Sequence, residues 1–184
     1  LLLVNSSIST YDSASEISRF NKSPKGIKTD LPYFLPPLKI SSVVFSQSGG
    51  AYDPTVMPLV NFWGFGPEKQ QSTDSSRVKA LLENIGFEKL QFSNDSITKS
   101  IPGVQLDFSA IGQGYGADVL TDFLKSKGIK NMLVELGGEG MAVGLNLESK
   151  KPWRLGLVHP LKPETFIGYL TLSEKSFSTS GSYF

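Results

Sequence analysis

LDFSAIGQGYGADVLTDFLKSKGIKNMLVELGGEG, residues 106–140, reads as strand, turn, helix, strand and turn in succession. Leu106 and Phe108 alternate with Gln105 and Asp107, the period of a half-buried strand, and Gly112, Gly114 and Gly116 then predict a turn. Tyr115, Val119, Leu120, Phe123 and Leu124 share one face of the helix that follows. Lys125 and Lys127 stand in its last turn and Gly128 at its stop. Met132–Leu136 is long enough for one buried strand and runs into Gly137, Gly138, Glu139 and Gly140. The reading therefore places two glycine bends at the ends of neighbouring strands.

Glycine at a strand exit lets backbone amides approach an anion, and a helix N-terminus adds partial positive charge. On that physics the two bends are a possible anion site, with a phosphate or pyrophosphate as the natural guest. The alternative is a pair of ordinary tight turns, and neither bend matches the G-x-G-x-x-G or G-x-x-x-x-G-K-[ST] pattern.

Outside this stretch, 184 residues suffice for one domain with a real core. Lysine plus arginine (18) nearly balances aspartate plus glutamate (17), which disfavours nucleic acid and anionic bilayers as partners. There is no cysteine, so disulfides, thiolate catalysis and cysteine-ligated zinc are excluded. His159 is the only histidine, which leaves a hard, oxygen-ligated ion as the metal class open to the chain. His159 precedes Pro160 and reads as a turn residue. Leu1-Leu2-Leu3-Val4 is too short to span a bilayer and lacks a basic leader, so it is not read as a signal peptide. The chain opens without Met and stops just after a Ser/Thr/Gly cluster, so further sequence is expected at both ends.

Ser13-Ala14-Ser15-Glu16 has the spacing of a capping box before a short helix through Ile17 and Phe20. The prolines between Lys22 and Pro37 predict a surface connection, with Pro37 opening a helix whose Ile40, Val43, Val44 and Gln47 share a face. Residues 51–69, AYDPTVMPLVNFWGFGPEK, are apolar but lack either period. Prolines and glycines argue against helix and strand alike, and Trp63 and Phe65 are expected to pack. Asp53 is either a ligand acceptor or a turn former before Pro54. Asp74 is the expected cap of a helix bearing Val78, Leu81, Leu82 and Ile85. Residues 87–92 and 97–101 predict paired strands around Asn94-Asp95. Two more strands are expected over 153–158 and 166–172, before the hydroxyl-rich Thr179-Ser180-Gly181-Ser182, a phosphate contact or a simple turn.

Ser9-Thr10-Tyr11 with 13–21, GGAYDPTVMPLVNFWGFGPEK from Gly49, LDFSAIGQGYGAD from Leu106, LVELGGEG from Leu133, PWRLGL from Pro152 and STSGSY from Ser178 occur in an order and spacing that resembles one family. That family is ApbE, the magnesium-dependent FAD:protein FMN transferases, often exported lipoproteins of bacteria. The resemblance implies an α+β, T-fold-related domain over residues 1–184, with a mixed sheet flanked by helices and an FAD cleft at strand ends. It implies that FAD is bound with magnesium and that a threonine hydroxyl of an acceptor redox protein attacks the FMN-side phosphorus. AMP then leaves, and FMN stays on the acceptor as a phosphoester.

By the same resemblance the carbonyl of Ala110 is a metal ligand, and Tyr52, Asp53 and Thr55 lie along the flavin nucleotide. Gln113, Gly114, Gly137, Gly138 and Glu139 approach it, Thr179, Ser180 and Gly181 belong to the same cleft, and Tyr11 is a wall residue. Location is implied to be periplasmic or at the cell envelope, with membrane contact only through a lipid anchor ahead of Leu1. Two departures stand out. Gln113 occupies a position where many members carry lysine, and the family's His-x-x-Asp-Pro motif and its later metal-binding aspartate and threonine have no counterpart in the 184 residues. The expectation is an incomplete metal site and little transferase activity for this chain alone. An FAD pyrophosphatase, with water as attacking group, and a non-catalytic FAD-binding protein are the alternatives.

Overall fold

The structure, a computed structural model, describes residues 1–67 and 75–181. The chain falls into two compact units, Leu1–Gly112 and Gln113–Phe184.

The first unit contains α1 (Leu2–Ile8), α2 (Glu16–Lys22), β1 (Gly26–Lys28), α3 (Leu35–Gln47), α4 (Met57–Phe62), α5 (Ser75–Leu82), β2 (Leu90–Phe92) and β3 (Ser96–Lys99). Its core is Ile17, Phe20, Phe34, Leu38, Ile97, Val104, Leu106 and Phe108, all sealed from solvent. Phe34 ties the aromatic part together, its ring 6.5 Å from Phe20 and 5.8 Å from Phe108. The expected hairpin forms as β2 and β3, with Phe87–Lys89 a short 3-10 helix instead of the start of the first strand, and β1 joins it from inside the proline-rich connection to give the antiparallel order β1-β3-β2.

Several expectations are corrected here. Ser15, not Ser13, caps α2, its Oγ accepting from the Ser18 amide at 3.2 Å. Glu16 turns inward instead of completing a box: its buried carboxylate accepts from Ser7 Oγ at 2.7 Å and from the amides of Asp30 and Leu31. Three donors satisfy a buried carboxylate better than one cap amide, and they pin the connection to the helix. Helix α3 opens at Leu35, so both prolines sit in its first turn, where a missing amide costs nothing. It buries Leu35, Pro37, Leu38 and Ser41, and leaves Ile40, Val43 and Val44 exposed.

In residues 51–67, Pro58 likewise stands in the first turn of α4 and starts a helix where a breaker is expected. Phe62 enters the core, while Trp63 is 45% and Phe65 79% exposed, contrary to the packing expected of them. Leu106 and Phe108 are buried as the alternation predicts, yet residues 106–108 form no strand. The Asn21 side chain donates to the Leu106 carbonyl at 2.8 Å and accepts from its amide at 2.7 Å, so an amide side chain takes the place of a neighbouring strand. Asp74, Ser182 and Tyr183 lie outside the described residues.

Helix α6 (Ser109–Ser126) contains Gly112, Gly114 and Gly116, which overturns the first predicted bend. Each glycine weakens a helix by about 1 kcal/mol relative to alanine, so packing has to supply the compensation. In the first unit a Cβ on Gly112 would touch Ile8 at 3.5 Å; in the second, one on Gly114 would lie 3.1 Å from Glu139 Oε2. The helix ends as expected. Gly128 (φ +81°) donates to the Lys125 carbonyl and Ile129 to that of Leu124, a Schellman closure.

The second unit packs α6 on an antiparallel sheet of β4 (Met132–Leu136), β5 (Glu139–Val143) and β9 (Lys175–Ser178), in the order β4-β5-β9. Ala117, Met132, Val134 and Val143 form the core between them, with Leu120 and Leu124 against it, whereas Phe123 points outward. A second sheet, β6 (Leu145–Asn146), β7 (Lys151–His159) and β8 (Lys162–Leu172), contains a long hairpin that realises both remaining predicted strands. All of these sheets are antiparallel, where a mixed sheet is expected. The one parallel pairing among the described residues is the isolated bridge between Val56 and Gln105.

Candidate functional site

In the first unit, Asp53-Pro54-Thr55 and Asp107-Phe108-Ser109 use one device twice. Asp53 Oδ1 accepts from the Thr55 amide at 2.8 Å and hydroxyl at 2.6 Å, and Asp107 Oδ1 accepts from the Ser109 amide at 2.9 Å and hydroxyl at 2.5 Å. The Asp107 amide donates to the Pro54 carbonyl at 2.8 Å, so the two turns are stitched together. Thr55 is fully buried, and its hydroxyl also accepts from the Gly86 amide at 2.7 Å. Beside these turns Tyr52 shares a 2.9 Å hydrogen bond with Ser41. Burial pushes the Tyr52 phenol above its ordinary pKa against the pull of that hydrogen bond, and the Asp107 and Asp53 carboxylates push the same way as burial.

Tyr11 projects into solvent, its hydroxyl donating to the Phe65 carbonyl at 3.3 Å. It lines a cavity of about 300 Å³ with Lys22, Met57, Asn61, Pro67 and Gln105. Asn61 and Gln105 also line a second cavity of about 300 Å³ containing Arg77 and Asn84. The Asn61 side chain is buried, and among the described residues its Oδ1, sealed from solvent, has no hydrogen-bond partner. Sequence reasoning passed over Asn61 and Gln105. The available signal was that Asn61 is the only polar side chain in MPLVNF.

In the second unit, Gly137 (φ +61°) and Gly138 (φ +91°) are the central pair of the tight turn between β4 and β5. Left-handed geometry at both positions matches the twist of the hairpin and requires glycine or asparagine. The turn is furnished from within: the Gly138 amide donates to Glu135 at 3.2 Å, and its carbonyl accepts from the Thr179 amide at 3.1 Å and hydroxyl at 2.8 Å. Gln113 lies directly against Gly137. Gly114, Asp118, Glu139, Ser176 and Ser178 line a cavity of about 300 Å³, with Ser178 donating to Glu139 at 3.3 Å. Burial, reinforced by Asp122 and opposed by Lys125, raises the Asp118 carboxyl above the usual carboxylate range. Ser180 and Gly181 follow in exposed, irregular backbone.

The expected pair of glycine bends is therefore corrected to one: the first is helix, and in the second the Glu135 carboxylate and the Thr179 amide and hydroxyl pair the Gly138 backbone.

Ala110 sits in the first turn of α6, where a carbonyl points along the axis toward the amide four residues on. Among the described residues no group of three or more acidic or histidine side chains is placed to hold a metal. One helical carbonyl does not fit the six-oxygen shell that magnesium takes, so the residues present do not make that site by themselves.

Helices packed with small antiparallel sheets, and polar cavities framed by the motif residues within each unit, define an α+β protein with surfaces suited to a small polar ligand. The family model described as the ApbE family matches residues 1–184, and the chain belongs to that family. It is 35% identical over 187 residues to the FAD:protein FMN transferase of Vibrio cholerae serotype O1, covering 98% of this chain and 55% of that protein. With the Klebsiella pneumoniae protein of the same name it shares 35% over 188 residues, 96% of this chain and 52% of the relative. The solved structure of flavin transferase ApbE from Vibrio cholerae superposes with a TM-score of 0.90 at 35% identity, over all of this chain and 60% of that one. The chain thus spans about half the length of the curated relatives it matches, and its fold is the ApbE fold.

Proposed function

We propose that the protein acts as an FAD:protein FMN transferase. The observation that carries this reading is the match of the whole chain, in sequence and in fold, to proteins bearing that name. A threonine hydroxyl of an acceptor redox protein attacks the FMN-side phosphorus of FAD. A phosphorus–oxygen bond forms to threonine, the bond to the bridging oxygen breaks, AMP departs with that oxygen, and the hydroxyl proton passes to solvent or a base. Such a transfer depends on positioning and charge neutralisation, with no covalent chemistry asked of the enzyme, in keeping with a chain that has no cysteine. A magnesium requirement belongs to the proposal for the whole protein, although the described residues offer little toward that ion.

Tyr11, Tyr52, Asp53, Thr55, Gln113, Gly114, Gly137, Gly138, Glu139, Thr179, Ser180 and Gly181 remain the proposed FAD-contacting set. Asp53 Oδ1 and the Thr55 hydroxyl contribute chiefly by holding the backbone, since both already have partners. Export to the periplasm or cell envelope as a lipoprotein completes the reading. Among the described residues no helix is long and apolar enough to cross a membrane. The test is to incubate the full-length protein with FAD, magnesium and a threonine-bearing acceptor. AMP and covalently flavinylated acceptor in equal amounts are expected. AMP without flavin on the acceptor points to a pyrophosphatase, and unchanged FAD overturns both.

A further inference from the structure

Lys99 is 7% exposed, and its ammonium donates to the carbonyls of Phe20 at 3.1 Å and Val104 at 2.7 Å and lies 4.6 Å from the centroid of the Phe20 ring. Among the described residues it forms no ion pair. The charged groups on the elements around it are engaged elsewhere or exposed. On α2, Glu16 holds Ser7, Arg19 meets Asp30 and Lys22 donates to the Ser13 carbonyl; beside β1 and β2, Lys25 is exposed, Lys28 meets Asp95 and Lys89 meets Glu88; after β3, Asp107 is turned onto Ser109. Stability does not account for this charge, because burying an ion is costly and an apolar isostere is often as stable or more so.

Both carbonyls belong to residues that back onto one cavity. Phe20 precedes Asn21 and Val104 precedes Gln105, and Asn21 and Gln105 line the cavity of Tyr11. Lys22 lines it as well, and among the described residues no carboxylate does. A buried ammonium one residue behind such a wall acts through a poorly screened medium, so it favours an anion in the cavity without touching it. We propose that the Lys99 ammonium supplies the positive field for an anionic group bound in the Tyr11 cavity, so that ligand binding is linked to protonation of this amine. The inference rests on the FAD reading of the preceding section, and the anion it implies is the FAD diphosphate.

The test is the FAD affinity of the full chain from about pH 7 to about pH 9, a window in which the diphosphate stays ionised. Burial draws the Lys99 pKa down to about 8, so the ammonium is present at the lower end and mostly lost at the upper. Wild type is expected to bind FAD roughly threefold to tenfold more weakly at the upper end. Near the midpoint it should take up protons on binding, read in calorimetry as a binding enthalpy that varies with the ionisation enthalpy of the buffer. Lys99→Met is expected to bind at the lower pH as weakly as wild type does at the upper, and to lose the proton uptake. It keeps every other group that titrates in the window, the α-amino group included, so the difference belongs to Lys99. Should the methionine chain not fold, Lys99→Arg, charged throughout, is expected to hold the low-pH affinity across the window. Wild-type affinity that is flat between the two pH values, or a pH profile that survives unchanged in the variant, overturns the proposal. A wild-type chain that binds no FAD at either pH refutes the functional reading itself, and this inference with it.

Discussion

Replacing Thr55 by valine keeps the shape of a fully buried side chain and removes a hydroxyl that donates to Asp53 at 2.6 Å and accepts from the Gly86 amide at 2.7 Å. The Gly86 N–H, its bond to Thr55 buried, is left without an acceptor, at a cost of about 1–3 kcal/mol. Asp53 Oδ1 keeps the Thr55 amide but loses a hydrogen bond to an ionised group, itself worth about 1.5–3 kcal/mol. The two losses overlap, so a net destabilisation of about 3 kcal/mol is expected for Thr55→Val. Thr55→Ser, by contrast, retains both bonds and gives up one buried methyl, about 1 kcal/mol. Urea unfolding followed by tryptophan fluorescence in a Trp153→Phe background reads the first unit alone, because Trp63 is then the only tryptophan in the chain. At a urea slope of roughly 2–3 kcal/mol per molar, the valine midpoint falls by about 1–1.5 M. A valine variant within about 0.5 kcal/mol of its parent, or more stable than the serine variant, refutes the view that this hydroxyl holds the turn together.

Lys99 is buried, donates to the carbonyls of Phe20 at 3.1 Å and Val104 at 2.7 Å, and has its pKa drawn down to about 8 by burial. Between pH 8 and the unfolded value near 10.4 the unfolded chain binds more protons, so stability rises with pH across that window, by at most about 3 kcal/mol; urea titrations of wild type against Lys99→Met should show the rise only in the former. In the hairpin turn, Gly138→Ala is expected to cost about 1–2 kcal/mol, since φ is +91° and a Cβ would meet Thr179 Oγ1 at 2.4 Å. Gly137→Asn should cost under about 0.5 kcal/mol, because asparagine suits the first position and the facing Gln113 side chain can swing away; thermal melts separate the two. Gln113→Lys is expected to tighten FAD binding roughly threefold to tenfold at low salt and to steepen its salt dependence in calorimetry, and an unchanged affinity would remove Gln113 from the neighbourhood of the diphosphate.

Elements are legible in the sequence where one local rule governs them. The Schellman stop at Gly128, the β2–β3 hairpin and the strand Met132–Leu136 depend on neighbours within a few residues, and all three formed as expected. They are not legible where a distant group supplies what a local pattern lacks. Gly112, Gly114 and Gly116 look like a turn because their helix propensity is poor, and only contacts such as Ile8 on Gly112 show why a helix tolerates them. The alternation of Leu106 and Phe108 reported burial correctly and structure wrongly, because the backbone partner is Asn21, 85 residues away in sequence. The spacing of Glu16 predicts a cap, whereas Ser7, Asp30 and Leu31 claim its carboxylate. For the candidate site, the resemblance pointed to the D-x-T turn and the glycine hairpin but gave no hint of Asn61, whose significance lies in an unsatisfied atom and not in a motif.

Among the motif residues of the first unit, saturated and unsaturated polar groups have different consequences for mutation. Asp53 Oδ1, the Thr55 hydroxyl and both ends of the Asn21 amide have partners inside the protein, so removing any of them leaves a former partner bare and lowers stability. Ligand affinity at those positions should fall only as far as the fold loosens, and conditions that restore stability should restore it. Asn61 is the opposite case: its sealed oxygen lacks a donor among the described residues, so replacement by an apolar isostere is expected to keep or raise stability. Plotting FAD affinity against unfolding free energy for Asp53→Ala, Thr55→Val and Asn21→Leu should therefore put all three on one rising line. A variant that loses affinity while keeping its stability would mark its residue as a direct ligand contact and not a part of the scaffold.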